Sequence, residues 1–247
     1  MPKLENNKIG KTSDFRNSKS IDFSNVFVAN ENTSAEEISK KINEEFLHVV
    51  LQPGNYHLQD SIKVNNDDTV ILGIGIATLI CHNGPCIDVG NSAGVRVAGI
   101  LFEASESSTP ALLNWGQSGF LGDESNPGVA SDIFARVGGP NNVTEIETKA
   151  ESMMVVNSGN VIIDNTWLWR ADHDISGNVG NSQNPVDSGL VVNGDNVKAY
   201  GLKVEHTLKD LVQWNGENGL TIMFQSELPY DVDVDYGTIG YAGYRVG

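Results

Sequence analysis

The chain has 247 residues, a net charge of −16, 26 glycines, 39% hydrophobic and only 19% charged residues. Such an acid excess excludes the Lys/Arg-driven binding of nucleic acid and disfavours anionic lipid surfaces, and no apolar run reaches the roughly 18 residues that a membrane span needs. The glycine-rich, charge-poor composition suits an all-β chain with many turns and a substrate without charge, such as a sugar.

Residues 1–21 are polar and lack the apolar core of a signal peptide, so they read as a flexible lead-in or linker before a domain over 22–247. Sequons at Asn32 and Asn142 are common by chance. Ser34 and Glu37 form a capping box at the head of SAEEISKKINEEF, which predicts one short amphipathic helix with Ile38, Ile42 and Phe46 on its apolar side. HVVLQPGNYHLQDSIKV then reads as strand, Pro-Gly turn and strand, and VILGIGIATLI as a further strand. Cys81 and Cys86, the two cysteines, are too few for a disulfide framework and stand either paired or free. No Cys/His spacing for zinc accompanies them.

From there the chain repeats. CIDVGNSAGVRVAGILFEA (86–104), MMVVNSGNVIIDNTWLWRA (153–171), GLVVNGDNVKAYGLKVEHT (189–207) and LVQWNGENGLTIMFQSEL (211–228) share one pattern. Each has a short apolar strand, an Asn/Gly turn, an alternating strand and a further strand. The last two are offset by 22 residues, and the longer gaps hold loops inserted at corners. This is the signature of coils of an all-β, right-handed, single-stranded parallel β-helix, a pectate-lyase-like solenoid. A sandwich or antiparallel barrel would not keep one turn type in register across repeats.

The repeat sets two carboxylates, Glu205 and Glu227, at equivalent positions one coil apart, about 4.8 Å along the stack. Stacked like charges repel unless one is protonated or a ligand lies between them. A structural column would use Asn, Val or Ile there, so the pair points to chemistry. Strand alternation puts Gln225 on the face of Glu227, and Trp169 holds the place of Glu205 one repeat earlier. WLWRADHD then supplies Asp172 and His173 at the end of that strand, and Tyr230 follows the second glutamate. An aromatic ring beside carboxylates and amides is a sugar-binding arrangement. Bland readings remain beside it: Trp167 and Trp169 alternate with Leu168, so one of the two faces enters the core, His173 suits a structural turn, and Tyr230 after proline suits a strand cap. DVDVDYG (231–237) begins like a calcium loop, but its glycine is one place late and Ala242 stands at the last ligand position. LGIGIA and ARVGGP lack phosphate-loop spacing, and Ser226 lacks the G-x-S-x-G context of a hydrolase nucleophile.

The motifs PGNYHL, GIATLI, WLWRADH, GLVVNG, VEH, WNGENG and QSELPYD resemble the second β-helix domain of glycoside hydrolase family 55, the exo-β-1,3-glucanases or laminarinases. The resemblance runs from about Asp22 to Asp235. It implies exo-acting, inverting hydrolysis of laminarin-like β-1,3-glucan outside the cell or at its surface, without metal or organic cofactor. Within it, Glu227 matches the general acid and Glu205 a carboxylate that positions the attacking water. Trp169, Asp172 and Tyr230 match residues that hold the terminal glucose, while His173 and Gln225 join the substrate-binding set by proximity. Family members carry a second β-helix domain and further coils, which implies that this stretch alone is weakly active at most. Rung stacking near 4.8 Å suggests the 5–5.5 Å carboxyl separation of retaining enzymes rather than the wider inverting one, and the expectation of inversion follows the family. Two other readings stand beside it. One is a non-catalytic glycan-binding or structural β-helix. The other is a polysaccharide lyase, which would need calcium carboxylates and a base for which Arg170 is the lone candidate.

Overall fold

The structure, a computed structural model, describes residues 20–138, 147–174, 177–178 and 183–247. Most of the 1–21 lead-in and the Asn142 sequon lie outside these residues.

Alternating side chains and Asn/Gly corners dictate a coil, and each coil stacks on the one before it. Nine strands form one sheet, in spatial order Val26–Ala29, His48–Leu51, Val70–Cys81, Arg96–Ala104, Gly128–Val137, Val161–Arg170, Lys198–Glu205 and Leu220–Glu227, with Gly54–Leu58 beside Val70–Cys81. A second sheet of seven short strands runs from Ile62–Val64 to Arg245–Val246. Neighbours in both sheets pair in parallel. A small antiparallel ribbon pairs His173–Asp174 with Gly177–Asn178. The parallel β-helix read from the repeat is what forms.

The long strands bend at left-handed residues, two in Val70–Cys81 (Gly75 and Ile76) and one in each long strand that follows. Gly99, Asp132, Asn165, Gly201 and Met223, with φ between 52° and 69°, lie at the same height in successive coils. Asn165 donates to Asp132 Oδ1 at 2.6 Å across this corner. The next corner carries an amide ladder, in which Asn215 donates to Asn193, Asn193 to Asn157 (both 2.8 Å) and Asn157 to Asn114 (3.3 Å). Side-chain amides thereby satisfy one another along the stack, which is why the turns are Asn-rich. Gly194 is required there for a different reason: a Cβ on it would lie 1.9 Å from the Ser158 carbonyl oxygen of the coil below.

The core is a column of inward Ile, Val and Leu with Trp115 and Phe102. Leu168 points into it, so Trp167 and Trp169 both take the outer face. Cys81 and Cys86 form a disulfide. The helix spans Ala35–Asn43, capped by Ser34 Oγ accepting from the Glu37 amide at 3.1 Å, with Ile38 and Ile42 buried. Phe46 does not join their stripe. The chain turns left-handed at that residue (φ 57°), Leu47 bonds back to the Lys41 carbonyl, and the phenyl ring is exposed.

Candidate active site

Parallel register fixes the heart of the site. At the C-terminal ends of their strands, Arg136, Trp169, Glu205 and Glu227 occupy one column on successive rungs, preceded by Glu103. Alternation turns the whole column to the outer face, because Leu168 and Val204, one residue earlier, are core residues. Two residues upstream, Trp167, Lys203 and Gln225 form a parallel column on the same face.

The column begins with compensated charge and ends with concentrated negative charge. Glu103 is buried, and that burial pushes its carboxyl above the usual carboxylate range even though Arg136 pairs with it. Glu205 is 9% exposed, and among the described residues nothing donates a hydrogen bond to it.

Glu227 is held from two sides. Gln225 Nε2 donates to Oε1 at 3.2 Å, and the Tyr230 hydroxyl donates to Oε2. The bond to Glu227 is the main reason the Tyr230 phenol titrates above its ordinary range, with desolvation and the nearby carboxylates adding to it. Among the described residues, nothing donates to the buried amide oxygen of Gln225. Two rungs earlier in the same column, Trp169 stacks with Trp167 (centroids 5.6 Å, planes 26°) and meets His173 at 5.4 Å. His173 Nδ1 lies 2.9 Å from Asp172 Oδ1. All seven residues singled out in the sequence, Glu227, Glu205, Trp169, Asp172, His173, Gln225 and Tyr230, therefore come together at one end of the solenoid face. Among the described residues, no three His, Cys, Asp or Glu side chains converge as ligands of a metal ion.

Two central residues were not in that set. His206, next to Glu205, is 3% exposed and lies between Asp172 and Glu227, its Nε2 at 3.9 Å from Oδ2 of one and 3.8 Å from Oε2 of the other. Arg170 is 1% exposed and makes a two-pronged pair with Asp231 at 2.8 and 2.9 Å, while also donating to the Gln183 and His206 carbonyls. It is not the exposed base a lyase would need. The signal for it was legible: in WLWR, Leu168 and Arg170 share the inward parity, and a buried guanidinium demands a carboxylate. The pair anchors the segment that carries Tyr230.

A model of the LAM55 pectate lyase-like domain matches residues 26–227. The chain belongs to the LAM55 family. This is the glycoside hydrolase family 55 relationship read from WNGENG and QSELPYD. Similar to this LAM55 chain is an exo-beta-1,3-glucanase of Streptomyces sp. (strain SirexAA-E / ActE), 41% identical over an aligned length of 235 residues, with 92% of this chain and 38% of that protein covered. The solved structure of sacteLam55A from Streptomyces sp. SirexAA-E matches at TM-score 0.83 and 40% identity, over 90% of this chain and 40% of that one. A refinement of a sacteLam55A variant in complex with glucose matches at TM-score 0.83 and 41% identity over the same shares. The LAM55 chain thus spans about two-fifths of the length of these relatives.

Proposed function

We propose that the chain contributes the catalytic face of an exo-acting, inverting β-1,3-glucanase, with Glu227 as general acid and Glu205 positioning the water. The observation that carries this reading is the pair itself, register-matched on adjacent rungs beside Trp169. In this reading the indole of Trp169 takes the apolar face of the terminal glucose, while Asp172, His173 and Tyr230 take its hydroxyls. Glu205 offers a nearly enclosed carboxylate that no described residue donates to, which suits it to accept a hydrogen bond from the attacking water. Gln225 can turn its unpartnered amide oxygen to Glu227 when that residue carries the proton. The lone pair of the Tyr230 hydroxyl is available to the same proton. After the leaving oxygen takes the proton, both groups return as donors to the carboxylate. Glucan chemistry needs no charge on the substrate, in keeping with a net charge of −16. The disulfide supports action outside the cell. A second β-helix domain, as the family architecture implies, would form the other wall of the pocket. The alternative, a glycan-binding β-helix without catalysis, shares the Trp169 platform but leaves the stacked glutamates without a role.

The test is glucose release from laminarin, with the product's anomer followed by NMR. Slow release of α-glucose is expected from the chain, abolished in Glu227→Gln and greatly reduced in Glu205→Gln. Release of β-glucose would overturn inversion. Laminarin binding without release, unchanged in both variants, would favour the binding module.

A further inference from the structure

His206 is fixed on every side except one. Its amide donates to the Glu227 carbonyl at 2.8 Å, and its own carbonyl accepts from Arg170. The imidazole packs against Tyr230, with ring centroids 4.6 Å apart, and Nδ1 lies 3.2 Å from the Leu228 carbonyl oxygen. A carbonyl can only accept, so Nδ1 carries hydrogen. The free edge, Nε2, is then a bare lone pair in neutral imidazole, and it faces carboxylate oxygens at 3.8 and 3.9 Å. A lone pair set against two carboxylates is repulsive, and a proton shared between the ring and either oxygen would turn that repulsion into attraction. The charged or titratable groups around it are Asp172, which also meets His173, and Glu227, Glu205, Tyr230 and Arg170, the last already paired with Asp231.

We infer that His206 is a positioning residue that couples the sugar-holding carboxylate of Asp172 to Glu227 by presenting one proton site to both. This rests on the glucanase reading of Asp172 and Glu227. Both separations exceed a hydrogen bond, as is common in unliganded sites that tighten when substrate arrives. Once sugar hydroxyls engage Asp172, the proton site at Nε2 has Glu227 Oε2 as its remaining partner. Occupancy of the sugar site is thereby communicated to the acid across a single ring.

The discriminating variant is His206→Asn. Asparagine tolerates the left-handed backbone (φ 63°), its amide nitrogen replaces Nδ1 toward Leu228, and it has nothing at the Nε2 position. His206→Gln instead places an amide nitrogen near Nε2. In His206→Asn the carboxyl 13C signals of Asp172 and Glu227 should both move at fixed pH, with the thermal midpoint unchanged. Titrated glucose should move both signals in the native chain but only that of Asp172 in the variant. Laminarin kcat/KM should fall about tenfold to a hundredfold, mostly in kcat, with partial recovery in His206→Gln. Carboxyl signals unchanged in His206→Asn, or a lowered thermal midpoint as the one effect, would overturn the coupling. Movement of Asp172 without Glu227 in the native chain would overturn it too. If glucose moves neither signal, the glucan reading itself fails, and the coupling falls with it.

Discussion

Tyr230 carries its phenol into the open site while donating to Glu227, and that bond holds its titration above the ordinary tyrosine range. The sign follows from linkage: the bond belongs to the protonated phenol, is present below the ordinary value near 10, and is lost as pH climbs through the raised one. In Glu227→Gln the carboxylate acceptor is gone, so the ionisation of Tyr230 should move down, measured as tyrosinate absorbance with the Tyr230→Phe signal subtracted. An unmoved transition would mean that the bond does not form in solution. At this scale the sequence was informative where side chains repeat and weak where they converge. Glu205, Glu227 and Trp169 could be aligned because each sits at the same place in a repeat. His206 could not, because its position depends on a left-handed turn just past the strand end and on contacts to Asp172 and Glu227 from two other segments.

The strands and corners of the coil follow from local rules, and their tolerances differ sharply. At Gly194 a methyl group would collide with the Ser158 carbonyl, whereas Gly240, although left-handed at φ 85°, has no atom within 4 Å of a new Cβ. Gly194→Ala should therefore cost about 3 kcal/mol through displaced backbone, and Gly240→Ala about 1 kcal/mol through conformation alone. Urea denaturation measures both, and the reverse order would refute the claim that close stacking selects glycine at the ladder. The Asn/Gly corners and the parity of WLW were readable as sequence. The end of the first helix was not, since the exposure of Phe46 depends on a left-handed turn that a 3.6-residue pattern does not encode.

A solenoid is held by contacts between neighbouring coils, so it can fray from an end. The Arg245–Val246 strand is tied to the penultimate coil by Asp210, which accepts from Arg245 Nε at 2.6 Å and from the Ala242 amide at 2.8 Å. The bond from Arg245 is the main cause holding the Asp210 carboxyl below its usual range. Its contribution is thus present above the ordinary carboxylate value and is lost as pH falls through the lowered one. Hydrogen exchange should show residues 242–247 opening in acid before Ala150–Val156 does, and Asp210→Asn should open them already at neutral pH. Simultaneous opening of both regions would mean that the whole stack unfolds as one unit. The left-handed corner shared by Gly99, Asp132, Asn165, Gly201 and Met223 acts on this same stack as a ratchet stop. A one-residue slip of any coil would force a new residue into the bend and exchange the faces of Trp169 and Arg170. Extra length is admitted elsewhere, for the step between successive paired strands ranges from 22 to 41 residues while register holds. Loops can therefore be lengthened or traded around the rim without changing the height of Glu205 above Glu227. New contacts for a ligand can arise there while the two stacked glutamates stay insulated from them.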